Sequence, residues 1–194
     1  MTAASHAVTL PPAAPSRRLQ GANLVLTQLA WFAAVLGAAH HRPMEGTACV
    51  LAVIGWHLAV VARPGREAAL VLLACLLGTA VETLRVLQGD VQYASGQPVA
   101  QLAPYWMVAL WGLLAVSLNV TMRWLRSKLW LAALLGAAVG PAAFASGVRL
   151  GAAQFVDASA ALTQLAVAWT VLMPLLVWLS ARLDGVRPEG TRHA

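Results

Sequence analysis

Six apolar segments, each close to twenty residues long, make up most of this chain. They cover residues 22–40, 44–62, 67–88, 104–124, 128–150 and 159–181. A helix needs about 20 apolar residues to cross the ~30 Å hydrocarbon core of a bilayer. Only 10% of the residues are charged, whereas soluble domains carry about 25%. The segments are longer than the ~10-residue alternating strands of a membrane barrel, so we predict an all-α polytopic bundle of six transmembrane helices.

The basic residues alternate between the two sides of these six segments. One side holds ten of the thirteen, namely Arg17, Arg18, Arg63, Arg66, Arg123, Arg126, Lys128, Arg182, Arg187 and Arg192. The opposite side holds Arg42, Arg85 and Arg149. Because basic residues concentrate in cytoplasmic loops, both chain ends are predicted to lie in the cytoplasm. The organisation is then a disordered cytoplasmic tail over 1–20, a transmembrane domain over 21–183 and a cytoplasmic tail over 184–194.

The net charge of +6 is explained by this topology. Such charges face the anionic inner leaflet, so membrane lipid is an expected partner. No basic patch interleaved with aromatic residues is present, and no nucleic-acid partner is predicted.

Charged residues inside the spans form one polar layer near the outer side. Glu82 and Arg85 lie in the outer third of the third span, Arg149 is at a similar height in the fifth span, and Asp157 is close by. Two guanidinium groups beside a carboxylate suit an anionic head group or substrate, because arginine binds phosphate and carboxylate well. The alternative is a structural ion pair of Glu82 with one of these arginines, which would hold the third and fifth spans together.

A second polar layer is predicted near the cytoplasmic side. It contains Asn23, Gln28, His57 and Asn119, which could meet in an interhelical hydrogen-bond network. A proton-handling or catalytic His57 is the alternative, although no acid inside a span is expected at its level. Nearer mid-membrane, Gln164, Trp169 and Trp111 line a cavity or simply pack.

Small residues recur along one face of the fifth span. They are Gly136, Gly140, Gly147 and Gly151. Such a stripe lets helices approach closely, either within the molecule or in a homodimer. Pro141 is predicted to kink the span, because proline removes a backbone hydrogen bond.

No sequence motif for a metal, cofactor or catalytic site is evident. His40 and His41 are adjacent, so they do not share a helix face as metal ligands would. The phosphate-binding, dinucleotide-binding, hydrolase and metalloprotease motifs are missing. We therefore predict no metal, no cofactor and no assigned catalytic residue.

Three sequence runs together resemble a known family. They are the run from Asn23 to Ala39, the run Pro104-Tyr105-Trp106-Met107-Val108-Ala109-Leu110-Trp111, and the run Gly140-Pro141-Ala142-Ala143-Phe144 followed by Gly147-Val148-Arg149-Leu150-Gly151. The chain is similar, over about residues 20–183, to small proteobacterial inner-membrane proteins known as a domain of unknown function. Some members are loosely labelled permeases. The resemblance implies a multi-pass protein of the bacterial inner membrane and assigns no activity.

Three functional hypotheses remain open on the sequence. The first is a non-enzymatic membrane component that binds lipid or anchors an unidentified membrane partner. The second is a small transporter or permease for an anionic or amphipathic solute, and the third is an intramembrane enzyme that acts on lipid. The first is favoured, because no catalytic constellation and no soluble domain are present.

Overall fold

The computed structural model describes residues 15–186. Its elements, in chain order, are α1 (Arg17–Ala39), α2 (Pro43–Val60), α3 (Pro64–Gln88), β1 (Val91–Tyr93), α4 (Tyr105–Leu118), a 3-10 helix (Arg123–Ser127), α5 (Leu129–Arg149), β2 (Ala153–Phe155) and α6 (Ala158–Arg182). The predicted all-α class is confirmed, with one helix for each predicted span. The two short strands are an addition that the apolar segments do not indicate.

Five helices of the described chain, all except α4, are long and apolar enough to cross a membrane. Their outer faces carry large apolar side chains, such as Leu29, Leu72 and Val167, each more than half exposed. Soluble monomers rarely expose contiguous apolar surface on this scale. The helices therefore present a surface that suits lipid.

The fourth helix, α4, lies at the centre of the bundle and contacts α1, α2, α3 and α6. Most of its residues are buried, including Trp106 and Trp111. It ends at Leu118, earlier than the predicted 124. Ser117 and Thr121 explain the early end, because such side chains hydrogen-bond nearby backbone and favour turns. Thr121 Oγ1 donates to the Ser117 carbonyl, and the 3-10 helix follows.

Prolines begin two of the helices. Pro43 and Pro64 stand at the first helical positions of α2 and α3, where the missing N–H group would have no partner anyway. The helix α3 consequently starts three residues before the predicted 67. Glu67 then lies in the first turn of a helix and not at the edge of a loop, which decides its role below.

The strands β1 and β2 pair antiparallel and join the loop after α3 to the loop after α5. The register places Tyr93 opposite Ala153 and Val91 opposite Phe155. The rest of segment 89–103 folds back onto the bundle, where Ser95 Oγ donates to the Ala38 carbonyl at 2.7 Å. We call this side of the protein the strand end. The side that holds Arg17 and Val186 is the terminal end.

Parts of both predicted tails belong to the folded bundle. Residues 17–20 form the first turn of α1, and Ser16 caps it by accepting a hydrogen bond from the Leu19 N–H group. At the other end of the chain, Val186 is buried with Val61 and Val120. The predicted tails over 1–14 and 187–194 lie outside the described residues.

The glycine face of α5 packs against α6. A side chain at Gly136 or Gly140 would collide with Trp169, so these glycines allow close contact within the molecule. Gly147 has open space around it, and Gly151 adopts a positive φ of 87° in the turn after α5. The homodimer through this stripe stays a prediction. Pro141 lies inside α5, which continues past it to Arg149, and the kink there also stays a prediction.

Candidate functional site

A buried carboxylate, Glu82, organises the polar site at the strand end. Its Oε2 accepts hydrogen bonds from Tyr93 Oη at 2.7 Å and from Arg85 Nη1 at 3.3 Å. Its Oε1 accepts from Trp111 Nε1 at 3.3 Å. Three donors on two oxygens satisfy a buried carboxylate that would otherwise be very costly. The arrangement joins α3, α4 and β1 at one point.

Gly78 explains how the Trp111 indole reaches this carboxylate. A side chain at Gly78 would overlap the Trp111 ring, so only glycine lets α4 present the indole so close to α3. On its other side, Trp111 stacks on Trp169 of α6 with ring centroids 5.1 Å apart. The carboxylate is therefore linked through one indole to α6.

Tyr93 is held as a hydrogen-bond donor by its surroundings. Burial, followed by the negative charge of Glu82, raises the pKa of the Tyr93 phenol well above its ordinary value. The side chain packs edge-on against Trp106 at a centroid distance of 5.8 Å. The phenol therefore stays protonated and keeps donating to Glu82.

Arg85 is the second charged group of this site, and most of its hydrogen-bonding capacity is unused. The side chain is only 7% exposed, and its guanidinium lies 4.5 Å above the Phe144 ring of α5. Nη1 contacts Glu82, whereas Nε and Nη2 are buried and have no hydrogen-bond partner among residues 15–186. Leaving a buried donor unsatisfied costs about 1–3 kcal/mol, and more when it is charged. An additional acceptor beside Nε and Nη2 would remove this cost.

Arg85 also lines a groove between α3 and α6. The groove has a volume of about 360 Å³. Its walls are Val81, Leu84, Arg85 and Gln88 from α3, and Gln164, Leu165, Ala168, Trp169, Val171 and Leu172 from α6. The two helices touch little along their length. An apolar trough with one buried cation is thus open on the face of the protein that suits lipid.

Two residues that the sequence places in the outer layer are not brought to Glu82. Arg149 is exposed at the end of α5. Asp157 is exposed as well and caps α6, where its Oδ1 accepts from the Ala160 N–H group at 3.0 Å. Of the four predicted residues, the structure brings together Glu82 and Arg85.

A second buried carboxylate, Glu67, organises the terminal end. Its Oε2 lies 3.0 Å from His57 Nε2, and both side chains are fully buried. Its Oε1 accepts hydrogen bonds from Asn119 Nδ2 and from the Gly185 N–H group, each at 2.7 Å. The expectation that no acid lies at the level of His57 is wrong, because α3 begins early enough to place Glu67 there. His57 Nδ1 is buried and has no hydrogen-bond partner in the described part of the chain.

Ionic contacts extend this cluster toward the surface. Asp184 accepts from Arg126 Nη1 at 2.8 Å and lies 2.7 Å from Arg123 Nη1. Arg126 Nη2 also contacts the Asn119 amide oxygen. The cluster ties the ends of α2, α3 and α4 to the chain that follows α6. Its tight enclosure indicates a structural role.

The two remaining residues of the predicted inner layer have different fates. Asn23 is fully buried, and its Nδ2 donates to the Val116 carbonyl of α4 at 3.1 Å. Its Oδ1 accepts a longer hydrogen bond from Thr121 at 3.4 Å. Gln28 is exposed on α1 and makes no side-chain hydrogen bond within residues 15–186. The structure therefore unites His57 with Asn119 through Glu67, attaches Asn23 to α4 nearby, and leaves Gln28 outside.

Sequence reasoning missed two side chains of the buried polar clusters, Glu67 and Tyr93. Pro64 was the available signal for Glu67, because a proline commonly stands at the first position of a helix. Tyr93 had no comparable signal, because strand pairing with a distant loop places it. Within residues 15–186, no three His, Cys, Asp or Glu side chains are grouped as metal ligands.

The helical fold and the five long apolar helices of the described residues are those of a multi-pass membrane protein. The chain belongs to the family described as "Protein of unknown function (DUF2878)", whose model matches residues 20–175. The resemblance to an uncharacterised family is thereby confirmed. Neither a curated protein nor a solved structure matches the chain.

Proposed function

We propose that this protein is a non-enzymatic membrane component that binds a lipid in the groove between α3 and α6. One observation carries the proposal: Arg85, buried and with two unpartnered nitrogens, lines an otherwise mostly apolar groove on the lipid-facing surface. A volume of about 360 Å³ lies within the ~300–1,000 Å³ range of small-molecule sites.

The groove has the polarity of an amphiphile. Gln88, Gln164 and Arg85 lie toward the strand end, where α3 finishes and α6 begins. Val81 and Leu172 lie further into the bundle. A lipid would place its head group beside the polar residues and an acyl chain along the apolar ones. This graded lining favours lipid over a small polar solute.

We further propose a bacterial inner membrane as the location, with six crossings and both chain ends in the cytoplasm. The ten basic residues on one side support this orientation. The strand end, and with it the head-group position, would then face the outer leaflet.

Photo-crosslinking of the purified full-length protein tests the lipid site. The protein is reconstituted in bicelles that contain a phospholipid with a photoactivatable acyl chain, and mass spectrometry maps the labelled peptides. We expect labelling to concentrate on α3 and α6 beside the groove. Ala168→Trp fills the groove and should lower that labelling roughly tenfold, the effect of about 1.4 kcal/mol of binding free energy.

Val167→Trp is the matched control. Val167 is the neighbouring residue on α6, is 66% exposed and does not line the groove. This variant introduces the same indole into lipid and should label like the wild type. Uniform labelling of every lipid-facing helix in the wild type would refute the proposal, as would equal labelling of the two variants.

A further inference from the structure

The two free nitrogens of Arg85 are a specific pair. Nη1 is occupied by Glu82, so Nε and Nη2 remain. These two nitrogens form the lateral edge of the guanidinium, and their N–H bonds point in nearly the same direction. Such an edge donates two parallel hydrogen bonds to two oxygens of one carboxylate or phosphate. A single acceptor, such as a hydroxyl or an ester carbonyl, would leave one donor unsatisfied.

Glu82 does not use up the charge of Arg85. Its shortest hydrogen bond comes from Tyr93 at 2.7 Å, and Trp111 contributes another on the second oxygen. The Arg85 contact at 3.3 Å is longer than the Tyr93 contact. The ion pair engages Nη1 alone, so an additional anion would gain the two hydrogen bonds that Nε and Nη2 can donate.

One face of the guanidinium is covered by an aromatic ring. Arg85 Cζ lies 4.5 Å from the centroid of the Phe144 ring, a contact that restrains the plane of the guanidinium. The free edge is buried, so a small shift of Arg85 brings it into contact with a ligand that lies in the groove. Glu82, Tyr93 and Phe144 are therefore positioning residues, and Arg85 is the binding residue.

We propose that the ligand of this site carries a phosphate or carboxylate group, two oxygens of which Arg85 binds side-on through Nε and Nη2. This inference rests on the proposed lipid site. Phospholipid phosphodiesters and fatty-acid carboxylates share this chemistry. The rest of the ligand is apolar and follows the groove past Trp169.

Three photoactivatable probes with the same acyl chains test this head-group chemistry on the full-length wild-type protein. They are a phosphatidylglycerol, a fatty acid and a diacylglycerol that has no anionic group. We expect the phosphatidylglycerol, the fatty acid or both to label α3 and α6 about tenfold more than the diacylglycerol, the effect of one additional charged hydrogen bond. The anionic probe that gives the stronger labelling shows whether the bound anion is a phosphate or a carboxylate.

Arg85→Lys distinguishes the contribution of the paired donors Nε and Nη2 from that of the positive charge. Lysine keeps one positive charge but lacks the planar pair of donors, so the preference for the anionic probe should largely disappear while diacylglycerol labelling is unchanged. Equal labelling by all three probes on the wild type would overturn the head-group proposal and leave the groove intact. If Arg85→Lys kept the full preference for the anionic probe, the proposed side-on contact through Nε and Nη2 would be overturned. Absence of labelling at α3 and α6 with every probe would remove the proposed function itself.

Discussion

Glu67 at the start of α3 lies 3.0 Å from His57 at the end of α2, and neither side chain reaches the surface. The same carboxylate accepts from Asn119 and from the backbone of Gly185, so four parts of the chain meet on two oxygens. Removing one partner from such a cluster leaves buried polar groups unsatisfied. The terminal end should therefore contribute strongly to the free energy of unfolding. The polar residues of the groove lie at the strand end.

Glu67→Ala should lower the stability of the protein severely. The change leaves the donors of Asn119 and Gly185 without their acceptor, at about 1–3 kcal/mol for each buried unsatisfied group. For a chain of this length, the melting temperature should fall by roughly 10 °C. Thermal unfolding in detergent micelles, followed by tryptophan fluorescence, measures the effect. Glu67→Gln should be much milder, because its amide oxygen still accepts from Asn119 and Gly185.

Glu45→Ala is the control for that experiment. Glu45 pairs with Arg42 at 2.5 Å, and its side chain is 61% exposed. Exposed ion pairs contribute about 0–1 kcal/mol, so the melting temperature should hardly move. A Glu67→Ala protein as stable as the Glu45→Ala protein would contradict the role given to the buried cluster.

Gly185→Ala should also destabilise the protein. An added methyl group at this position would collide with the Arg63 carbonyl and the Glu67 side chain. Overpacking of this kind costs about 1–3 kcal/mol. Gly55→Ala is the matched change, because nothing lies near its added methyl and alanine favours a helix. Melting temperatures should fall for the first variant and stay level or rise for the second.

Tyr93→Phe should reveal a dependence on alkaline pH. The pKa of the buried phenol is raised above that of the unfolded chain, which is about 10. The stability that the hydroxyl contributes is fully present below pH ~10 and is lost as pH rises toward the folded pKa. The difference in melting temperature between wild type and Tyr93→Phe should therefore be constant from pH 7 to 9 and shrink above pH ~10. A difference that stays constant up to pH 11 would contradict this.

The proposed orientation predicts which introduced cysteines a membrane-impermeant maleimide labels. In a background with Cys49 and Cys75 replaced by alanine, Val99→Cys lies at the strand end and Ser127→Cys at the terminal end. The first should be labelled in intact spheroplasts, and the second only after lysis. The reverse result would invert the topology inferred from the basic residues.

Local properties of the sequence account for what could be predicted. Each helix corresponds to one apolar segment, because the length and hydrophobicity of a span are local. Glu82 and Arg85 are three residues apart, a spacing that places two side chains on one helix face, and their contact is of this local kind. Pro64 begins α3 three residues before the predicted span, which places Glu67 in the first helical turn, where it contacts His57.

The rotation of one helix about its axis relative to another is not local. Arg149 and Arg85 belong to helices that run in the same direction, yet Arg149 is exposed and Phe144 of α5 takes the place beside Arg85. The packing of α5 on α6 through Gly136 and Gly140 sets that rotation. The sequence shows which side chains share a height, and only packing shows which of them meet.

The pairing of β1 with β2 has a consequence for the order of assembly. Tyr93 and Ala153 are 60 positions apart, so β1 has left the ribosome roughly 3–12 s before its partner, at typical synthesis rates of 5–20 residues per second. Until α5 has been inserted, β1 has no strand to pair with and Tyr93 is not yet fixed against Glu82. The surroundings of Arg85 are thus completed late in biogenesis, because a nascent chain that lacks its last two helices has no groove between α3 and α6.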